Sequence, residues 1–297
     1  MSEFLAAVPP ASTAGAVVLI SGASSGFGRA TATAAAARGA TVVGAFRGTR
    51  DGYDVTAGEL AEAGIASVRL DVTDDSSVAA AVTHVRERFG RIDAVVNMAG
   101  YGLLGPMECT PLEPTERLFD TNVYGTMRVC QAVVPIMREQ GGGRIVNVGS
   151  DVGYRANYFQ TSYAASKFAV DGFSQSMRLE LRRFGIAVSL VSPGWYETEF
   201  GESVVTTFTA GELAPLYADL IADWEAGVGA VEGPNHKPQE VADEIVDILA
   251  DAQPRYRYPV GWNPERLGPV DIADIDRFQS HLVDYYRMDA PSLPAGR

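Results

Sequence analysis

The stretch AVVLISGASSGFGRATATAAAARGATVVGAF, residues 16–46, decides the fold. Residues 16–22 are a short β-branched run ending in glycine, which reads as a buried strand. Residues 29–40 are alanine-rich and stop at Gly39, which reads as a helix with glycine at its end. Residues 41–46, TVVGAF, read as a second strand. Strand, helix and strand in that order predict a parallel pair, because a parallel connection crosses over through a helix. Between the first strand and the helix lies SGASSGFG, with Gly22, Gly26 and Gly28 spaced G-x-x-x-G-x-G. Glycines there permit close backbone approach, and the helix N-terminus offers N–H groups to a diphosphate. The spacing differs from G-x-G-x-x-G, and a tight turn without ligand is the plainer alternative. Its place in the first βα unit favours a dinucleotide.

The alternation continues outward. Strands are predicted at 66–72, 92–100, 143–150, 186–194 and 255–261, and helices at 74–90, 114–139, 161–184 and 238–251. This predicts an α/β protein with one doubly wound, Rossmann-type parallel sheet of about seven strands and helices on both faces. All 297 residues are assigned to one dinucleotide-binding and catalytic domain, with 262–297 as a C-terminal extension.

Composition limits the function. The net charge is −13, a poor match to nucleic acid or an anionic membrane. Residues 1–16 lack the basic and long apolar parts of a secretory signal, and no run of about 18 apolar residues occurs. The expectation is a cytoplasmic protein with neither nucleic acid nor membrane as partner. Cys109 and Cys130, with His84, His236 and His281, are scattered, so no metal is expected.

The second strand ends Ala45-Phe46-Arg47. An NAD site usually has a carboxylate there for the ribose 2′-hydroxyl. A guanidinium instead suits a 2′-phosphate, so NADP(H) is expected over NAD(H), with Arg47 as contact and Arg50 as a second. Further on, TSYAASK places Tyr163 and Lys167 four residues apart on one helical face. An ammonium beside a phenol favours the phenolate. Taken singly these residues have plainer explanations: Arg47 as a solvated charge, Ser150 as a strand-end cap, Asn122 as a buried amide.

Together the motifs resemble the short-chain dehydrogenase/reductase family over residues 15–200, and more weakly to about 260. SGASSGFG is similar to T-G-x-x-x-G-x-G, with Ser21 for threonine. LDV at 70–72 resembles the adenine-contacting segment, NMAG at 97–100 resembles N-N-A-G with Met98 as a departure, and PGWYET at 193–198 resembles P-G-x-x-x-T. TNVYG contains Asn122, and GRIVNVGS ends at Ser150, thirteen residues before Tyr163. Segments 97–108 and 166–181 look closest to 17β-hydroxysteroid-dehydrogenase-like members.

The resemblance implies hydride transfer between a nicotinamide and a ketone or secondary alcohol. It implies Tyr163 as acid/base, Lys167 as its modulator and ribose contact, Ser150 as orienter of the substrate oxygen and Asn122 as part of a water-linked proton path to Lys167. The implied cofactor contacts are Gly22, Ser24, Ser25, Gly26, Phe27, Gly28, Arg47, Asp71, Val72, Asn97, Ala99, Gly100, Tyr163, Lys167, Pro193, Gly194 and Thr198. Residues 198–237, apolar and aromatic with interspersed glycines, read as a substrate lid over the carboxyl ends of the strands. Phe200, Phe208 and Tyr217 from this segment join Tyr101, Val152, Tyr158, Trp195 and Tyr196 as substrate-side candidates. They suit a bulky aromatic or alicyclic substrate. An amphipathic segment packing on the core or on a partner subunit is the alternative. By analogy a homodimer or homotetramer is expected. Competing functions are an NAD-dependent alcohol dehydrogenase and an NADP-binding sensor without catalysis. Epimerisation or dehydration of a nucleotide sugar is disfavoured, because G-x-x-G-x-x-G is absent.

Overall fold

The computed structural model describes residues 13–48, 50–194, 196, 201–229 and 237–261. Seven strands form one parallel sheet: β1 (Val17–Ser21), β2 (Thr41–Phe46), β3 (Ala66–Arg69), β4 (Ala94–Asn97), β6 (Gly143–Val148), β7 (Ile186–Pro193) and β9 (Arg257–Val260). Their order is β3-β2-β1-β4-β6-β7-β9. β5 (Leu103–Leu104) and β8 (Val205–Thr206) form a separate two-stranded parallel pair. That pair is too short to carry a sequence period.

The alternation of side chains along each strand builds two cores. Val18 and Ile20 of β1, Val96 of β4 and Val146 of β6 face one side. There they meet α1 (Gly26–Ala37), α2 (Arg50–Glu62) and α8 (Pro238–Ala250) through Ala32, Leu60 and Ile245. Val17, Leu19, Val95 and Ile145 face the other side. There they meet α3 (Asp75–Phe89), α5 (Thr126–Glu139) and α6 (Thr161–Leu181) through Val82, Val133 and Leu181. Strands buried on both faces read as unbroken apolar runs, which is why residues 16–20 show no polar alternation.

The helix expected over 114–139 is α4 (Leu112–Phe119) joined to α5 through a widened π-turn, Asp120–Gly125. Asn122 lies in that turn. At its end Gly125 meets Val72, where an added Cβ would come within 2.7 Å of Cγ2. Such turns recur at functional sites. The polar interior also has an order. Asn97 donates to Asn147 Oδ1 at 2.8 Å, Asn147 donates to Ser174 Oγ at 2.8 Å, and Ser174 donates to Val170 O at 2.6 Å. This ladder ties β4 and β6 to α6 in the buried layer.

Ile245 is fully buried between α8 and the sheet. Ile245→Ala is therefore expected to lower unfolding free energy by about 2–5 kcal/mol in urea denaturation. Val55→Ala, at an exposed position of α2, is expected to stay within about 0.5 kcal/mol of the parent.

Candidate active site

The chain leaves β1 toward β2 on one side and returns to pair β4 on the other. The loops after β1 and β4 therefore diverge, and a crevice opens at their carboxyl ends. The two loops touch at its floor. Ser21 Oγ accepts from Met98 N at 3.1 Å and from Ala99 N at 3.3 Å. Gly22 has φ +72°, and a Cβ there would lie 2.9 Å from Ala99 N. A Cβ at Gly28 would lie 2.1 Å from Gly22 O. Gly22 is required by contact as well as by conformation, and Gly28 by contact. Ser25 precedes α1 without a side-chain cap. These features fit the diphosphate of a dinucleotide.

Farther along the crevice, β2 ends in exposed Arg47, and the strand end Ala45-Phe46-Arg47 carries no carboxylate. Phe46 stacks on Tyr53 with centroids 4.8 Å apart, and Arg69 lies over the Tyr53 ring at 4.5 Å. Arg69 is paired with Phe46 across β2 and β3, so a second arginine flanks the same strand ends. The sequence reading missed Arg69, because strand pairing alone brings it there. The Arg50 side chain falls outside the described set. Asp71 closes its own turn, accepting from Thr73 N at 3.0 Å and Oγ1 at 2.7 Å. Val72 is buried and offers its carbonyl to Arg128.

The four catalytic candidates converge around the ends of β4 and β6 and the start of α6. β6 ends at Val148, and Ser150 caps a short 3-10 turn, Asp151–Gly153. That turn lies against α6: a Cβ at Gly153 would come within 3.1 Å of Lys167 O. On α6 the Tyr163 hydroxyl is hydrogen-bonded to Ser150. Lys167 Nζ donates to Val148 O at 3.0 Å and lies 5.7 Å from the Tyr163 ring centroid. Asn122 clamps residue 101 from both sides, accepting from Tyr101 N at 3.1 Å and donating to Tyr101 O at 3.0 Å. It also donates to Ser166 Oγ at 3.3 Å, and Ser166 donates to Tyr163 O at 2.7 Å. Its side chain thus fixes the loop after β4 to α6.

Electrostatics depart from the expectation for the Tyr–Lys pair. Tyr163 retains some surface, but its hydroxyl is desolvated, and burial drives its pKa well above the ordinary phenol value. The Ser150 hydrogen bond pulls it down and the Asp151 carboxylate pushes it up. Proximity of Lys167 does not reverse the balance. Burial lowers Lys167 itself to about 8.

Several other expectations change. The Asn97 amide turns into the interior, toward Asn147 and Cys130, so its side chain does not face the crevice. Tyr196 does not wall a substrate pocket. It is buried in the core beneath the glycine-rich turn, edge-on to Phe27 at 5.1 Å, with its hydroxyl donating to Glu240 Oε2 at 3.1 Å. Pro193 ends β7, and Gly194 N donates to Val260 O at 2.8 Å. Trp195, Thr198 and Phe200 lie outside the described residues. Cys130 is a buried thiol pushed up to about 12 by desolvation. Among the described residues no acidic, histidine and cysteine cluster could hold a metal, and no helix is long and apolar enough to cross a membrane.

The segment expected as a lid is described over 201–229. It is stitched to the loop after β4 by main-chain bonds, Val205 N to Gly102 O at 2.9 Å and Thr207 N to Leu104 O at 2.8 Å. Thr110 and Thr207 hydroxyls meet at 2.7 Å, and Tyr217 donates to Glu108 Oε1 at 2.5 Å. Beyond lies α7 (Ala218–Gly229), whose Trp224 packs edge-to-face on Phe159 at 5.6 Å and on Phe208 at 5.8 Å. Tyr158, Tyr217, Leu104, Leu220 and Ile221 surround these rings. Phe159 has φ +58°, a costly conformation for a bulky residue that marks a structurally demanded position. Val152 is buried in the Asp151–Gly153 turn, and Tyr101 is held by Asn122.

Known proteins resemble this chain in sequence and fold. A family model described as short chain dehydrogenase matches residues 16–208. Retinol dehydrogenase 8 of Bos taurus is 35% identical over 250 residues, 81% of this chain and 80% of that protein. A solved short-chain dehydrogenase from Streptomyces avermitilis has 31% identity and a TM-score of 0.73, covering 93% of this chain and 95% of its own. Actinorhodin polyketide ketoreductase with NADPH has 31% identity and a TM-score of 0.71, covering 84% and 97%.

The lowered pKa of Lys167 has a consequence for stability. Its folded value, about 8, lies below the ordinary 10.5. The folded chain therefore binds this proton less tightly than the unfolded chain. The resulting destabilisation is complete below pH 8 and fades as pH rises through 10.5. In Lys167→Met it is absent at every pH. The stability of the variant relative to the parent is expected to decline by about 2 kcal/mol between pH 7 and pH 10, read by urea denaturation at each pH.

Proposed function

The chain belongs to the short-chain dehydrogenase family, and on that premise we propose that it is an NADP(H)-dependent ketoreductase acting on a bulky apolar, aromatic or alicyclic ketone. The single observation that carries this reading is the convergence of Tyr163, Ser150 and Lys167 at the crevice mouth. When bound, NADP(H) supplies the hydride chemistry. The chain supplies position and a proton.

Gly22, Gly26 and Gly28, with the start of α1, would hold the diphosphate, and Arg47 with Arg69 would take the 2′-phosphate. Ser150 would hold the substrate oxygen beside the Tyr163 hydroxyl. Tyr163 would give its proton to the developing alkoxide in reduction and recover it in oxidation. A phenol kept protonated by burial suits the donor role. Lys167, charged and 5.7 Å from the ring centroid, would stabilise the tyrosinate left behind.

Substrate bulk is supported by the aromatic set formed where Phe208 and Trp224, on the segment proposed as a lid, pack on Phe159. The names of two relatives point the same way, one for retinol and one for a polyketide. Exposed Leu112, Tyr124, Phe168 and Leu179 on α4, the π-turn and α6 support pairing with a second copy of the chain.

Tyr163→Phe is expected to bind NADPH as the parent does and to lose about 10²–10⁴-fold in turnover, measured by NADPH fluorescence and by absorbance at 340 nm over a ketone panel. Parent binding without turnover on any ketone would instead favour the sensor reading. Arg47→Ala is expected to raise KM for NADPH about tenfold or more and leave KM for NADH unchanged. Equal changes for both cofactors would remove the 2′-phosphate assignment.

A further inference from the structure

One short loop ties the catalytic candidates to the aromatic set. It leaves β4 with Tyr101 gripped by Asn122. Its next residues pair with the segment after 201, Gly102 O accepting from Val205 N and Leu104 O from Thr207 N. Gly105 N then donates to Phe159 O at 2.8 Å. That bond fixes the carbonyl of a residue held at φ +58°, just before α6 begins at Thr161. Gly105 also meets Thr207. A Cβ at Gly105 would lie 1.8 Å from Thr207 Oγ1, 3.1 Å from Thr207 Cβ and 2.9 Å from Thr110 Oγ1. Thr207 is buried, and its hydroxyl lies 2.7 Å from Thr110 Oγ1 and 3.3 Å from Leu104 O. The clash therefore falls on a packed, hydrogen-bonded group rather than on the free end of a flexible side chain. Phe208, the next residue, is edge-on to Phe159 at 5.6 Å and to Trp224 at 5.8 Å. A side chain at 105 would push Thr207 out and carry Phe208 with it.

Resting on the reading of the chain as a reductase of bulky ketones, we propose that Gly105 is a specificity-determining position: the missing side chain seats Thr207 against the loop after β4, and that seat sets where the Phe208 and Trp224 wall stands relative to α6 and Tyr163. Gly105 and Thr207 are positioning residues and act through Phe159 and Phe208. The same loop answers to Asn122 at one end and to Phe159 at the other. Wall and catalytic candidates are thus fixed to one piece of backbone. A ketone large enough to cover the aromatic set draws binding energy from the wall, and a small one does not. Displacing the wall therefore alters the choice between the two and leaves the chemistry at Tyr163 as it was.

The test compares small aliphatic ketones with bicyclic aromatic ketones in Gly105→Ala, Thr207→Ala and the double variant, with NADPH affinity measured beside turnover. Gly105→Ala is expected to lower kcat/KM for the bicyclic ketones about tenfold or more, carried by KM. The small ketones and NADPH affinity should change by less than about twofold. Thr207→Ala removes the hydroxyl that the new Cβ would strike and keeps the main-chain bond to Leu104. In that background Gly105→Ala should cost less than about twofold, so the two substitutions are strongly non-additive. If Gly105→Ala alone does not fold, Thr207→Ala carries the result, with a loss of about threefold confined to the bicyclic ketones. Equal losses for both ketone classes, or additive losses in the double variant, overturn the role of Gly105 while the parent's turnover leaves the reductase reading standing. A parent that binds NADPH and reduces neither class overturns the reductase reading, and the assignment of the wall falls with it.

Discussion

The constraint that organises this molecule is the pairing of β1 on both edges, with β2 on one side and β4 on the other. A strand in that position has no free edge and no wet face. Its side chains must be apolar both ways, and helices must cover both faces. The return of the chain on the opposite side splits the loops at its carboxyl end. The glycine-rich turn, the floor contact between Ser21 and residues 98–99, and the placing of the start of α1 all follow from that split. The same topology brings the ends of β4, β6 and β7 to one rim, where residues distant in sequence converge.

Much of this was legible in the sequence because it rests on local rules. Apolar runs, alanine-rich segments and terminal glycines located the seven sheet strands and the long helices. Spacing alone put Tyr163 and Lys167 on one face, and the glycine spacing matched a real close approach at Gly28. What was not legible depended on tertiary pairing. Arg69 reached the end of β2 through strand register. β5 and β8 are two residues each and exist only because the segment after 201 docks there. The π-turn at 120–125 ends where Gly125 meets Val72, a close approach between residues 53 apart in number. Tyr196 was misplaced because a residue just past a strand end can turn to either side of the sheet. Here Phe27 and Glu240 draw it down toward α8.

The polar side chains illustrate a second limit. A motif names residue types, but it does not say which way an amide points. Asn97 and Asn122 are both buried amides near the crevice. The first joins the ladder to Asn147 and Ser174 inside the helix layer, and the second seizes the backbone of Tyr101. Each group satisfies a different part of the framework, and neither choice is encoded in the local sequence.

Tyr163 and Lys167 show why proximity is a weaker predictor than desolvation. From the sequence, an ammonium four residues from a phenol should lower the phenol's pKa. In the folded chain both groups are desolvated, and desolvation acts on them in opposite senses: it raises the phenol and lowers the ammonium. The pair is thereby driven toward the neutral phenol and toward easier loss of the lysine's charge. The Asp151 carboxylate adds to the first tendency. A positive charge arriving in the crevice would oppose it, since it would favour the tyrosinate by the same Coulomb argument that makes Asp151 disfavour it. On the proposed reading, the protonation state of the site is then set by what the crevice holds rather than by the Tyr–Lys pair alone. That gives a physical reason for placing the acid at the rim where the strands end instead of elsewhere on the same helix.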